Sequence, residues 1–161
     1  MQLNLETDYA VRCMLILAKE NRKMNAQEIA EFAVLTKNHA QKILRMLNQA
    51  GLVSTTYGIK GGFFLTRPAS EITMFDILNA MEKTTRINRC MEDDQYCSRN
   101  GTSEEVNCPV HRYFEEIQEE IEQIFKRKSI QDLLDDNRDH DYHNCGCEDD
   151  CNNCNKMTCG R

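Results

Sequence analysis

The chain has 161 residues, nine cysteines and 20 Lys/Arg against 26 Asp/Glu, a formal net charge of −6. That length suits one domain with a tail, and no apolar run approaches the ~18 residues of a membrane span. The N-terminus also lacks the charged-then-apolar layout of a secretory signal, so a cytoplasmic protein is expected, with thiols that hold metals or do redox work rather than form structural disulfides.

The charge is unevenly placed. Residues 1–67 hold nine Lys/Arg against five Asp/Glu, net +4, and the other 94 hold eleven against twenty-one, net −10. A basic head on an acidic body suits a protein that presents one face to phosphate. No Gly-rich phosphate loop, nucleophile elbow or zinc-protease helix motif is present, so no enzyme is expected.

Leu5 to Lys19 carries Tyr9, Cys13, Met14 and Leu17 at helical spacing, with Thr7 and Asp8 in its first turn. Cys13 lies on that stripe and reads as a small core thiol rather than a ligand. Asn25 is the predicted N-cap of a second helix, with Glu28 in the capping-box position and Ile29, Ala30 and Phe32 facing the core. Thr36 caps a third helix that ends at Gly51. Its apolar stripe is Ala40, Ile43, Leu44 and Leu47, and Lys37, Asn38, Gln41, Lys42, Arg45 and Asn48 point elsewhere. Arg and Lys pair with guanine or phosphate, and Asn and Gln offer adenine a donor and an acceptor together.

A hairpin follows at once, from Leu52 to Leu65, with Gly58-Ile59-Lys60-Gly61-Gly62 at its tip. A strand pair directly after a recognition helix is a wing, and Lys60 is placed to meet backbone phosphate or the minor groove. Beyond Pro68, Thr73 caps a helix bearing Met74, Ile77, Leu78 and Met81. Pro109 marks the first turn of a long helix in which Val110, Phe114, Ile117, Ile121 and Ile124 form a heptad seam. Such a seam predicts a homodimer whose recognition helices meet successive major grooves, about 34–36 Å apart, on a near-palindromic double-stranded DNA operator.

Cys90, Cys97 and Cys108 lie in a polar loop before that helix, with His111 one turn into it. Soft thiolates hold iron–sulfur clusters or zinc. The spacing, Cys-x6-Cys-x10-Cys, is wider than the CxxC pairs of zinc ribbons or ferredoxins, and leaves cluster, zinc and thiol switching all open. Three cysteines leave a tetrahedral set one ligand short, and His111, Asp8, Glu6 or the tail are the sources of a fourth.

The chain resembles the Rrf-type iron–sulfur winged-helix regulators, the family of IscR, NsrR and RirA. The resemblance covers about residues 1–134. It rests on Met1-Gln2-Leu3 with Thr7-Asp8-Tyr9-Ala10-Val11-Arg12, on Gly58-x-x-Gly61-Gly62-x-x-Leu65, on Arg67-Pro68-Ala69, and on three cysteines before a long helix. It implies a dimeric transcription regulator in which Cys90, Cys97 and Cys108 hold a four-iron or two-iron cluster. Asp8 matches the fourth ligand of the NsrR branch, and His111 matches the Cys-x-x-His ligand of IscR. Asn38-His39-x-x-Lys42 looks more like the recognition helices of NsrR and RirA, which points toward nitric-oxide or iron sensing. Tyr57 stands where the family's wing usually has Arg, with Lys60 at the tip as a substitute contact.

The expected fold class is thus mainly α with a small β wing. A winged helix-turn-helix region spans 1–83, a cysteine cluster loop 84–108, a dimerisation helix with a short following helix 109–134, and an acidic Cys-rich tail 135–161. The tail holds seven acids against three bases and no apolar periodicity, so it is expected to be flexible without metal. Cys145, Cys147, Cys151, Cys154 and Cys159, with His140 and His143 upstream, have CxC and CxxC spacings suited to zinc or copper(I). A chain ending at Asp136 is therefore expected to bind less zinc or copper(I) than the full chain in a metal analysis. Equal inventories would remove the tail from the metal chemistry.

Overall fold

The structure is a computed structural model that describes residues 3–58, 61–92 and 108–139, with side chains through residue 136. Lys60, Cys97, His140, His143 and the five tail cysteines lie outside the described residues.

Local signals set the first three helices. α1 (Leu5–Glu20) starts at Asn4, whose side chain accepts the Glu6 N–H, and ends at Asn21 in the left-handed conformation. α2 (Ala26–Ala33) has the expected capping box, with Asn25 accepting from Gln27 and Glu28 and the Glu28 carboxylate accepting the Asn25 N–H. α3 (Lys37–Gln49) is capped by Thr36. The three helices pack on one another, and Ile43, Leu44 and Leu47 of α3 join Met14, Leu17 and Ile29 in one buried cluster.

Phe32 departs from expectation. It is 59% exposed rather than in the core. α2 buries Ala26, Ile29, Ala30 and Ala33. At about 100° per residue Phe32 lies roughly 110° around the helix from the centre of that stripe, on its flank.

The wing is an antiparallel pair, β1 (Val53–Thr56) and β2 (Gly62–Leu65), with Val53 opposite Leu65 and Thr56 opposite Gly62. It is tied to the head by Met24, which exchanges two backbone hydrogen bonds with Phe63 at 3.0 and 2.8 Å. A Cβ on Gly62 would lie 2.8 Å from the Met24 carbonyl oxygen, so this close approach needs glycine.

After a 3-10 turn at Ala69–Glu71, α4 (Met74–Met81) begins with a second capping box, Thr73 with Asp76. Burial works against the Asp76 charge, but the Thr73 N–H, the Thr73 hydroxyl and the Arg67 guanidinium outweigh it and hold its pKa below the usual carboxylate value. A 3-10 turn at Arg89–Met91, the long helix α5 (Pro109–Arg127) and α6 (Ile130–Asp139) complete the described residues.

The helix after α5 runs on to Asp139, past the expected boundary at 134, and it packs against α1 and the Ala69–Glu71 turn. The junction between α5 and α6 is fastened to the strand-like segment before α4. There Met74 N–H donates to the Lys128 carbonyl at 3.1 Å and Ile130 N–H donates to the Ile72 carbonyl at 2.8 Å. Ile130 is fully buried in the head's core, a contribution of about 1.5–3 kcal/mol.

The turn between α2 and α3 stores strain. Val34 caps α2 at φ +56° and is 84% exposed. A β-branched residue there costs about 1–2 kcal/mol with no burial to offset it. Val34→Gly is expected to raise the unfolding free energy by about 0.5–1 kcal/mol after allowance for glycine's freer unfolded chain. A urea midpoint that stays put or falls would show that the strain is not there.

Candidate functional site

Two groups of candidate residues lie on different elements, one on α3 and the wing and one at the start of α5. The first is the outer face of α3. Lys37, Asn38, Gln41, Lys42 and Arg45 are all exposed there, opposite the buried stripe. They are not equivalent. The Lys42 ammonium is paired with the Glu6 carboxylate on the first turn of α1, whereas Lys37 and Arg45 have no ion-pair partner among the described residues. Asn48 is used internally, its amide donating to the Val53 carbonyl at 2.8 Å and so fixing the root of the wing against α3. Tyr9 of α1 also touches this helix, its ring 6.2 Å from that of His39.

The wing follows α3 directly and packs against it. Tyr57 is 94% exposed beside Gly58, whose φ is +107°. A Cβ on Gly61 would lie 2.3 Å from the Thr56 carbonyl oxygen, so the tip closes only with glycine.

The second group gathers at the start of α5. Cys108 is its N-cap residue, with Pro109 in the first turn and no side-chain cap hydrogen bond. Cys90 lies in the Arg89–Met91 turn, where Asn88 accepts the Cys90 N–H at 3.1 Å. That turn packs on α5, and Met91 and His111 line one cleft of about 340 Å³ with Arg86, Glu115 and Gln118. The His111 Nε2 is 3.3 Å from a Glu115 oxygen. Asp8, the alternative ligand, sits on the first turn of α1 with its carboxylate 2.7 Å from Arg12.

Among the described residues no three His, Cys, Asp or Glu side chains come together as a metal-holding group. Cys90, Cys108 and His111 share one end of α5, Asp8 is on the first turn of α1, and Cys97 lies outside the described residues. The donor chemistry nonetheless fits a soft anionic centre. A cysteine at a helix N-cap meets free N–H groups and the positive end of the helix dipole, both of which favour a thiolate or an anionic cluster. Cys13 is the opposite case, as burial pushes its thiol up to about 12, which suits the core role expected of it.

Gln118 was not singled out by sequence reasoning. It is the buried residue of α5, only 2% exposed, and both ends of its amide are used. Oε1 accepts the Ile87 N–H at 3.0 Å, and Nε2 donates to the Thr85 carbonyl and to Glu122, each at 3.1 Å. Glu122 in turn lies 3.0 Å from Lys126 and 3.7 Å from Arg86. Hydrogen bonds from Gln118 and then Lys126 hold its carboxyl below the usual value. The one hint in the sequence is a neutral amide inside an acidic run, Glu115-Glu116-Ile117-Gln118-Glu119-Glu120. On another face of α5 the seam is open, with Val110 and Ile124 each 57% exposed and Phe114, Ile117 and Ile121 half-buried. No described helix is long and apolar enough to cross a membrane.

Comparison with known proteins agrees with this architecture. The chain is 36% identical over 111 residues to Protein aau3 of Rhizobium meliloti (strain 1021), covering 68% of this chain and 66%, just under two thirds, of that protein. It is 27% identical over 133 residues, 82% of this chain and 90% of the relative, to a protein of Aquifex aeolicus (strain VF5) described as an HTH-type transcriptional regulator. Among solved structures, T. potens IscR superposes with a TM-score of 0.62 at 21% identity, covering 85% of this chain and 88% of that one. CymR (YrzC), the global cysteine regulator of B. subtilis, gives 0.63 at 21% identity, covering 84% and 97%. At these identities the two structures establish the winged-helix fold alone. The family described as "Rrf2: Iron-dependent Transcriptional regulator" matches residues 3–136, and the chain belongs to this family of DNA-binding transcriptional regulators.

Proposed function

We propose that this Rrf2-family regulator acts as a homodimer on a near-palindromic operator and senses nitric oxide, iron or redox state through an iron–sulfur cluster. Cys90, Cys97 and Cys108 would hold the cluster, with Asp8 or His111 as the fourth ligand. The observation that carries this reading is the packing of the Cys90 turn against the helix that Cys108 caps. When bound, such a cluster supplies an iron centre that reacts with oxidants or nitric oxide.

The chain's own residues supply the rest. Cys108 begins α5, so the backbone that carries a ligand also carries the seam of Val110, Phe114, Ile117, Ile121 and Ile124 that meets the partner. The far end of α5 is fastened to the head by the Ile72 and Lys128 backbone bonds and by Ile130. A displacement at the cysteine end therefore reaches the dimer seam and the reading head through packed structure. A coupling of about 1–3 kcal/mol, 5- to 150-fold in affinity, suffices for regulation. On DNA, Lys37, Lys42 and Arg45 would meet phosphate or guanine, Asn38 and Gln41 would read base edges, and Tyr57 and Lys60 would carry the wing's contacts.

A second reading uses the thiols for zinc binding or disulfide switching, and the position of Cys108 at a helix N-terminus, which favours a thiolate, supports it. CymR, described as a global cysteine regulator, shares this fold, and that likeness supports keeping the second reading. We also infer that Cys145, Cys147, Cys151, Cys154 and Cys159 bind zinc or copper(I), a reading supported by their spacing.

Protein purified without oxygen is expected to contain iron and acid-labile sulfide in equal amounts and to absorb broadly in the visible. Cys97→Ser is expected to remove both and to shift operator affinity 5- to 150-fold. A colourless protein that stays so after cluster reconstitution would favour the second reading.

The reading face makes a separate prediction. Arg45→Gln should lower the magnitude of the slope of log affinity against log salt by about 0.9, the loss of one phosphate contact. Lys42→Gln should change it less, because Glu6 already offsets that charge. Equal slopes for the two variants would show that the Glu6 pairing does not persist on DNA.

A further inference from the structure

Three consecutive residues at the start of the cysteine loop are anchored on α5, two by the buried Gln118 side chain and one by its neighbour Glu122. Thr85 is held through its carbonyl by the Gln118 amide, Ile87 through its N–H by the Gln118 oxygen, and Arg86 through its guanidinium by Glu122. Only Asn88 and Arg89 separate Ile87 from Cys90, and the Asn88 side chain already holds the Cys90 N–H. Little slack is left between the anchor and the thiol.

The chemistry of the anchor is particular. The site must accept from one backbone N–H and donate to one backbone carbonyl at the same depth, and an amide of glutamine's length does both. A carboxylate there would donate nothing and would face Glu122, whereas a thioether would leave both backbone groups unpaired in a buried place. The position on the helix matters as well. At about 100° per residue, the face of His111, Glu115, Gln118 and Glu122 lies roughly 120° around α5 from the seam of Val110, Phe114, Ile117, Ile121 and Ile124. One helix therefore holds the loop on one face and presents an open apolar stripe on another.

We propose that Gln118 is a positioning residue for the cysteine site, which sets the Cys90 turn against the Cys108 end of α5 and links the state of the loop to the dimer helix. This rests on the reading of the cysteine loop as the sensor. Gln118 itself touches no ligand.

The test is the alkylation of each cysteine by iodoacetamide in the reduced, metal-free, full-length protein, followed peptide by peptide in the mass spectrometer. Gln118→Met, which keeps the length of the side chain and removes its hydrogen bonds, is expected to raise the Cys90 rate about tenfold. Cys13, fully buried in the core, should stay protected and so report that the fold is intact. An unchanged Cys90 rate with Cys13 still protected would overturn the proposal.

Should Gln118→Met expose Cys13 and so prove unfolded, the wild-type protein decides by hydrogen exchange. The Ile87 amide is expected to exchange at least about tenfold slower than an open loop amide, and exchange at the open-loop rate would overturn the latch. Iron and sulfide in the wild-type protein test the cluster reading by itself. A colourless protein with the Cys90 effect intact supports the latch and overturns only the cluster.

Discussion

The junction between α5 and α6 is the constraint on which the arrangement depends. Ile130 is buried in the core of the head, and the bonds from Ile130 to Ile72 and from Met74 to Lys128 fasten the chain on either side of it. Without them α5 would be held by its packing on α4 and by the Gln118 bonds to Thr85 and Ile87. With them, the helix that bears the apolar seam and the three-helix head that includes α3 belong to one packed body. Interiors at crystal-like density transmit displacement rather than absorb it, so a change at either end of α5 has few places to dissipate.

The electrostatics divide along the same line. The head is basic and the remainder acidic, yet the head's exposed cations are not left as a uniform field. Glu6 takes Lys42, Asp8 takes Arg12 and Asp76 takes Arg67, while Lys37 and Arg45 remain unpaired among the described residues. Surface pairs of this kind contribute little to stability, about 0–1 kcal/mol each. Their consequence lies in where unneutralised positive charge remains, which is on Lys19 and Lys23 as well as on the outer face of α3. The first turn of α1 is the meeting point of these interactions. Glu6 reaches α3, and the buried Thr7 hydroxyl donates to Glu82 at the end of α4, just ahead of the cysteine loop.

Much of this was legible in the sequence because it is local. The capping box at Asn25, the Thr36 and Thr73 caps, the antiparallel strand pair of the hairpin and the buried stripe of α3 each depend on residues within a few positions of one another. They form as expected. The error at Phe32 is also local and instructive. Hydrophobicity suggested the core, but an eight-residue helix whose stripe already contains Ala26, Ile29, Ala30 and Ala33 has no buried side left for it. The cysteine positions were equally plain, and with the wing they sufficed to identify the family.

What the sequence by itself determined is therefore the set of elements, the family and the candidate ligands, since periodicity, capping and motif spacing are properties of neighbouring residues. Only the tertiary structure decided that Ile130 closes the core, that Lys42 is met by Glu6, that Asn48 anchors the wing and that Gln118 holds the cysteine loop. Each of these is a contact between a side chain and a group far along the chain or on another element. Charge and polarity alone describe Lys42, Asn48 and Gln118 equally well as solvated surface. Whether such a group is solvated or spent on a partner is settled by which elements pack together, and no local pattern encodes that.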